Sequence, residues 1–160
     1  MHKACVAPVL VAAMLASVAS AAICPAVSSI RYGACGGVGS GNCYVDQADP
    51  AWNSNNAAAL GGGLLFPTTV SNTLPNQFSR AYIYNAKLAA NGVVCQYYVP
   101  GGSGLKGLIS VSNYQLFSSP AYSPPKPLGH WQFWWEGSID IGYICLSANV
   151  SDCPFFVTSA

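Results

Sequence analysis

The chain has 160 residues, of which 52% are hydrophobic and only 7% are charged. This length fits one domain, and the charged fraction is far below the roughly 25% that is usual in soluble proteins. Six Lys and Arg against five Asp and Glu give a net charge of +1, so the composition argues against binding to nucleic acid or to an anionic membrane. Seven Cys, 16 Gly and 11 Pro favour a loop-rich, cross-linked fold.

Residues 1–21 have the pattern of a secretory signal peptide. Met1–Lys3 is a short positive segment, Ala4–Val18 is apolar, and Ala19-Ser20-Ala21 places small residues where a signal peptidase cuts. The apolar run is shorter than the ~20 residues of a membrane span. We therefore predict cleavage after Ala21, a secreted or periplasmic location, and a single mature domain, 22–160, with no transmembrane segment.

Six cysteines remain after this cleavage. An even count in an exported chain predicts three disulfides, formed by Cys24, Cys35, Cys43, Cys95, Cys145 and Cys153. A lipoprotein signal, with the lipid on Cys24, is the less favoured alternative, because the bulky Ile23 stands where such signals carry a small residue.

The surroundings of the cysteines predict their pairing. Cys35 and Cys43 flank a glycine-rich segment that is flexible enough to bring the two sulfurs together, and the same glycines make only a weak match to a nucleotide-binding loop. Strand cysteines are expected to join neighbouring strands or sheets, and a Cys-Pro pair at each end is expected to tie down the termini, which gives Cys95–Cys145 and Cys24–Cys153.

The segment Asp46–Asn56 is dense in oxygen-bearing side chains. Calcium takes such ligands, but usually with more carboxylates and at a fixed loop spacing. Asp and Asn also favour turns, because their side chains bond to nearby backbone groups. We predict a turn here, with calcium as the minor alternative, followed by the only helix-compatible run, Asn55–Leu60.

A β-hairpin is the strongest prediction. Two β-rich runs, Ala81–Tyr84 and Val93–Val99, flank Asn91-Gly92, which is a typical type I′ turn pair. With a two-residue turn, one apolar face receives Tyr84, Leu88, Ala90, Val93, Cys95, Tyr97 and Val99. The other face receives Asn85, Lys87, Gln96 and Tyr98.

Shorter strands are predicted along the rest of the chain. They cover Gly63–Phe66, Leu108–Asn113, Trp131–Glu136, Ile139–Leu146 and Phe155–Thr158. Pro120–Pro127 is predicted to be an extended polyproline-type loop. The expected fold is all-β, a small disulfide-stapled antiparallel sandwich or open barrel.

The segment His130–Glu136 contains three of the four tryptophans. In a strand, alternate residues share a face, so Trp131, Phe133 and Trp135 are predicted to enter the core. The opposite face carries the candidate binding residues His130, Gln132, Trp134 and Glu136. A tryptophan among polar side chains is typical of sugar-stacking and protein-contact surfaces; the alternative is that Trp134 packs beneath the proline-rich segment 120–127.

Short motifs span nearly the whole mature chain. Cys24-Pro25 stands at its start, Gly92-x-x-Cys95-x-Tyr97 in its middle and Cys153-Pro154-Phe155 near its end. In these motifs the chain resembles a family of small exported Gram-negative bacterial proteins of unknown function. Cys35 and Cys43 are additional to that pattern. The resemblance implies export and a disulfide framework, and it brings no activity or catalytic residue with it.

Catalysis has little support in the sequence. His130 is the only mature histidine, and oxidised cysteines leave a zinc site short of ligands. No nucleophile elbow is present. A small hydrolase using His130 with Glu136 or Asp140 is therefore the alternative hypothesis, and a structural envelope or surface protein is another. The leading hypothesis is a non-catalytic module, with no cofactor and no metal, that binds an unknown protein or glycan through an aromatic, weakly charged surface.

Overall fold

The computed structural model describes residues 20–35, 41–59, 72–84, 92–100, 106–113, 121–136 and 139–158. Within them the strands are β1 (Ser20–Ala22), β2 (Ile30–Ala34), β3 (Asn42–Asp46), β4 (Gln77–Tyr84), β5 (Gly92–Pro100), β6 (Lys106–Ser112), β7 (Ala121–Ser123), β8 (Trp131–Glu136), β9 (Ile139–Cys145) and β10 (Phe155–Thr158). Helix α1 spans Ser54–Ala59, and two short 3-10 helices cover Val27–Ser29 and Val150–Asp152. The fold is all-β, as predicted.

A five-stranded antiparallel sheet forms the centre, in the order β6-β5-β4-β9-β8. Because successive side chains point to opposite faces, each row across the sheet belongs to one face. The core face carries a buried row of Val111, Cys95, Ala81, Cys145 and Trp131. The next row, on what we call the far face, is Ser112, Val94, Tyr82, Ile144 and Gln132.

The core lies on the first of these faces. A second sheet, in the order β1-β10-β7, contributes the fully buried Phe155 to it. Cys24, Ile30 and Trp52 belong to the same cluster. The Tyr97 hydroxyl, also fully buried, donates a hydrogen bond of 2.8 Å to the carbonyl of Pro25. This bond fixes the N-terminal segment against the sheet.

A single residue connects the β2–β3 hairpin to the large sheet. Asn53 forms isolated β-bridges to Val45 on one side and to Ser112 on the other. Its backbone N–H and carbonyl both bond to Ser112, at 3.1 Å each. Its side-chain oxygen accepts a hydrogen bond of 2.8 Å from the N–H of Asn56, which caps the start of α1.

The prediction of three disulfides is confirmed, and so is the Cys35–Cys43 pair. The two other predicted pairs are wrong, because Cys24 bonds to Cys95 and Cys145 bonds to Cys153.

The sheet explains why Cys95 cannot reach Cys145. Both residues pair with Ala81, one from each side of β4. Two strand spacings separate their backbones by about 9.6 Å, whereas a disulfide spans less than about 7 Å between Cα atoms. Cys24 crosses the core to Cys95 instead, and its sulfur is used in that bond, so the lipoprotein alternative loses its attachment atom.

The hairpin is confirmed, but its predicted register is wrong. β4 and β5 are antiparallel, and Val93, Cys95, Tyr97 and Val99 share the buried face as predicted. However, Tyr84 pairs with Gly92, the first residue of β5, and therefore falls on the far face. The connection consequently covers residues 85–91 rather than Asn91-Gly92 alone; Leu88, Ala90, Asn85 and Lys87 lie outside the described residues.

The other predicted elements have different outcomes. β6, β8, β9 and β10 match the predicted strands, and α1 matches the predicted helical run. Part of the predicted polyproline-type loop is wrong, because Ala121–Ser123 is a strand that pairs with β10. The predicted strand Gly63–Phe66 lies outside the described residues. No helix among the described segments is long and apolar enough to cross a membrane.

Candidate functional site

The candidate site lies on β8, the last strand of the large sheet. Trp131 is buried as predicted, with 3% of its surface exposed, and its indole N–H donates a hydrogen bond of 2.7 Å to the carbonyl of Pro154. Phe133, two residues further along, is 54% exposed. The prediction that Phe133 enters the core is therefore wrong. The side chain of Trp135 lies outside what the structure describes.

Phe133 packs against an aromatic neighbour on the adjacent strand. It pairs with Tyr143 on β9, and their ring centroids are 4.8 Å apart with the planes tilted by 35°. In the same row, Val93 and Ile83 are buried. Burial thus falls toward the β8 end of the row, where the exposed Phe133 ring adds apolar surface beside Tyr143.

Trp134 lies on the opposite, far face of the same strand. It is half-buried, and its ring lies 4.8 Å from that of Tyr82, centroid to centroid. Trp134 is on β8 and Tyr82 is on β4, so the contact passes over β9, where the residue opposite Trp134 is Gly142. Gly142 has no side chain to obstruct the indole, and its φ of 138° favours glycine.

The structure describes the side chains of three of the four predicted binding residues, His130, Gln132 and Trp134. His130 and Gln132 are exposed, and Gln132 belongs to the same face as Trp134. Glu136 occupies the end of β8, where it pairs with Ile139, but its side chain lies outside the described part of the chain. The structure therefore places exposed Gln132 on the same face and strand as Trp134, and it gives Trp134 an aromatic partner, Tyr82, that the sequence did not predict.

The hydrolase alternative gains nothing from the geometry. His130 precedes β8, whereas Glu136 ends it and Asp140 pairs with Trp135 near that same end. At about 3.3 Å per residue, six residues of strand separate the backbones of His130 and Glu136 by about 20 Å. A general acid or base must lie within hydrogen-bonding reach of its partner, and this separation is far greater.

The polar segment Asp46–Asn56 forms turns, as predicted. One carboxylate oxygen of Asp46 accepts the N–H of Ala48 at 3.0 Å, and one of Asp49 accepts the N–H of Ala51 at 3.1 Å. Each is a side-chain bond to the backbone two residues ahead, which is the turn-forming pattern of Asp. Among the described residues no group of three or more His, Cys, Asp or Glu could hold a metal ion.

Sequence analysis missed Arg80, which extends the candidate site along β4. A register shift between Phe78 and Arg80 leaves Ser79 as an extra residue, so Phe78 faces the core while Arg80 pairs with Gln96 on the far face. Arg80 is half-buried. Strict alternation puts Phe78, Arg80 and Tyr82 on one face, whereas the observed bulge moves Phe78 to the core face. The register of β4 with β5 and β9, and of β9 with β8, then shows that Arg80 and Tyr82 share the face of Trp134.

Electrostatic interactions connect Arg80 and Tyr98 to Tyr82. Burial raises the pKa of Tyr82, while the positive charge of Arg80 and a hydrogen bond between the two side chains act in the opposite direction. Tyr98, half-buried on β5, is close enough to raise the pKa of Tyr82 slightly further. Arg80 and the two tyrosine hydroxyls therefore form one polar group on the far face.

Comparison with known proteins gives no relative from which to argue. No family model, no curated protein and no solved structure matches the chain. The assignment of function rests on the residues themselves.

Proposed function

We propose that this protein is an exported, non-catalytic binding module that engages a protein or a glycan through a weakly charged aromatic surface at β8. The observation that carries the proposal is the exposure of Phe133, at 54% of its surface, beside Tyr143. A large aromatic side chain held by a partner ring on a strand loses little conformational freedom on binding. Trp and Tyr are also enriched among the residues that dominate binding energies.

Export is supported by two independent features. The three disulfides fit an oxidising compartment, and residues 1–21 have the pattern of a cleaved signal. Cleavage after Ala21 would leave only Ala22 of strand β1, which pairs with Phe155. N-terminal sequencing of the exported protein tests this point: Ala22 as the first residue agrees with the proposed cleavage, and a start at Ser20 would keep β1 whole.

The binding function can be tested with alanine variants. The oxidised protein is titrated against immobilised polysaccharides, both neutral and acidic, and against purified cell-envelope proteins. Phe133 and Trp134 lie on opposite faces of β8, so a ligand bound at this strand is expected to contact one of the two. It should bind the corresponding variant, Phe133→Ala or Trp134→Ala, at least tenfold more weakly, because removal of a central contact residue commonly costs more than about 1.4 kcal/mol.

Tyr32→Ala is the matched control, because Tyr32 is a 41% exposed aromatic residue on β2, in the hairpin beyond the opposite end of the sheet. Its affinity should remain that of the wild type. Unchanged affinity in both β8 variants, or an equal loss in Tyr32→Ala, would contradict the proposed surface. Turnover of a substrate that disappears in His130→Ala would favour the hydrolase instead.

A further inference from the structure

The far face of the sheet near β8 combines one cation with aromatic and hydroxyl groups. Arg80 and Tyr82 follow each other on the same face of β4, Tyr98 lies on the same face of β5, and Trp134 reaches Tyr82 from β8. Gln132 is exposed on that face, two residues before Trp134. We call these five residues the Arg80 surface.

Arg80 has no carboxylate partner among the described residues. Its Nε–H donates to the hydroxyl oxygen of Ser79 at 3.3 Å, and its side chain shares a hydrogen bond with Tyr82. The carboxylate of Asp152 is used elsewhere, as the acceptor of a 2.7 Å bond from Ser147. A half-buried guanidinium has lost part of its hydration. A carboxylate that accepts two parallel N–H bonds from the guanidinium best replaces the lost water.

The other groups around Arg80 are neither charged nor purely apolar. Trp134, which packs on the buried Tyr82 ring, presents ring surface, and the Tyr98 hydroxyl and the Gln132 amide are hydrogen-bonding groups beside it. Apolar ring faces next to hydroxyl-binding groups suit a sugar ring. A strongly acidic peptide or a nucleic acid would instead require several cations to neutralise its repeated charges, and this surface supplies one.

We infer that the Arg80 surface binds an acidic saccharide, with Arg80 holding the carboxylate of a sugar unit whose ring stacks on Trp134. This inference rests on the proposed binding function and specifies its ligand class. The Gln132 amide and the half-buried Tyr98 bond to the hydroxyl groups of the sugar, while the buried Tyr82 supports Trp134 from below. One cation in a nearly uncharged chain makes the binding moderately sensitive to salt.

Galacturonic acid is a suitable probe, since it carries a single carboxylate and its methyl ester has the same sugar ring without the charge. By titration calorimetry the oxidised protein should bind the acid form at least tenfold more tightly than the ester, which is the range expected when a charged hydrogen-bonded pair is lost. Arg80→Gln should remove this preference, and Arg80→Lys should retain only part of it because the planar fork is absent.

Arg31→Gln is the matched control. Arg31 is also half-buried, and its guanidinium donates to the carbonyl of Ile30 at 2.9 Å on the distant hairpin. The preference for the acid form should be unchanged in this variant. Urea unfolding of each variant must give a wild-type midpoint, so that lost binding is not lost folding.

The other outcomes separate this inference from the proposed function. Equal binding of the acid and the ester, lost in Trp134→Ala and unaffected in Arg80→Gln, would overturn the acidic-saccharide inference and leave the aromatic binding module standing. Equal or tighter Arg80-dependent binding of poly-glutamate would overturn it in favour of a peptide ligand. No binding of the acid form would overturn it as well, while the Phe133→Ala and Trp134→Ala experiment would still decide the proposed function.

Discussion

The two ends of the large sheet differ in a way that reverses the usual distribution of polar and apolar side chains. At the β6 end, where Asn53 joins the sheet to β3, the polar residues Asn53, Ser112 and Asn56 are all at least 96% buried. At the β8 end, Phe133 is 54% exposed. Polar groups are therefore buried at one end, while an aromatic ring is exposed at the other.

The difference follows from what packs against each end of the sheet. At the β6 end these residues connect β3 to the large sheet. The Asn53 and Asn56 side chains bond to backbone groups there, while the Ser112 hydroxyl and the Asn56 amide oxygen have no partner among the described residues. At the β8 end the described sheet stops, and the Phe133 ring is exposed although it packs against Tyr143 in the same row. The β6 end thus joins two parts of the fold, and the β8 end carries the aromatic surface for which we propose a binding role.

The largest expected effect separates two neighbours within the β8 end. Trp131→Ala should lower the free energy of unfolding by about 3–5 kcal/mol, because it removes a buried aromatic ring and leaves the Pro154 carbonyl without its donor. Phe133→Ala should cost less than about 1 kcal/mol, since more than half of the ring is already in solvent. Urea unfolding measures both changes. Equal losses would show that β8 is buried along its whole length and would remove the contrast between the ends.

The next prediction concerns the polar connection at the β6 end. Asn53→Ala should cost about 2–3 kcal/mol, because the residue caps α1 and its amide also donates to the carbonyl of Pro50 at 3.1 Å. Asn42→Ala, at an exposed position on β3, is the control and should change stability by no more than about 0.5 kcal/mol. If both variants unfold at the same urea concentration, the side-chain bonds of Asn53 do not stabilise this connection, and its backbone bridges alone hold it.

A smaller effect should distinguish two serines on the far face of β6. Ser110 accepts a hydrogen bond of 3.1 Å from the Gln96 amide, and both side chains are buried. Ser110→Ala should therefore cost about 1–2 kcal/mol by leaving the amide without this acceptor.

Ser112→Ala provides the comparison. The Ser112 hydroxyl is buried and has no hydrogen-bond partner within the described residues. Its removal should be neutral or slightly stabilising, as measured by thermal unfolding. A loss as large as that of Ser110→Ala would show that the Ser112 hydroxyl has a partner, such as an ordered water.

The smallest effect is a dependence on alkaline pH. Burial, assisted by the negative charge of Asp46, raises the pKa of Tyr97 well above its ordinary value of 10.0. Below pH 10 the tyrosine is protonated in both the folded and the unfolded chain, whereas above it only the unfolded chain loses the proton. Stability should therefore fall as the pH rises past 10.

Two phenylalanine variants assign this loss to one region. Tyr97→Phe should lower the free energy of unfolding by about 1 kcal/mol at neutral pH, because its bond to Pro25 is lost. The variant should also lose less stability than the wild type as the pH rises past 10. Tyr82→Phe should reduce this alkaline loss less, because Arg80 opposes the pKa rise of Tyr82 at the β8 end. Urea midpoints measured from about pH 9 to about pH 11, one unit either side of the ordinary tyrosine pKa, compare the two variants. A larger change in Tyr82→Phe would contradict the assignment.

Much of the fold could be predicted from local patterns. The alternation of Ile109 and Val111 with serines predicts the two faces of β6, and β8 has its predicted bounds. The Cys35–Cys43 bridge is also a local feature, since its sequence separation is 8. These predictions succeed because side-chain alternation and short loop closure depend on neighbours in the sequence.

The errors involve long-range relations. The Cys24–Cys95 bridge joins residues 71 positions apart, and nothing near either cysteine reveals the other. The hairpin register depended on the length of a connection that the Asn91-Gly92 pair alone did not fix. Phe133 was predicted to enter the core because alternate residues of a strand share a face. Alternation shows which face a residue occupies, but it does not show whether another layer covers that face at the end of the sheet.

The sequence by itself determined the all-β class, the number of disulfides, most strands and the aromatic character of β8, because composition and alternation carry that information. Only the tertiary structure decided how the other four cysteines pair, that Asn53 links β3 to β6, and that Arg80 and Tyr82 share the face of Trp134. Each of these depends on strand order and register, which arise from the packing of distant segments and from no local pattern.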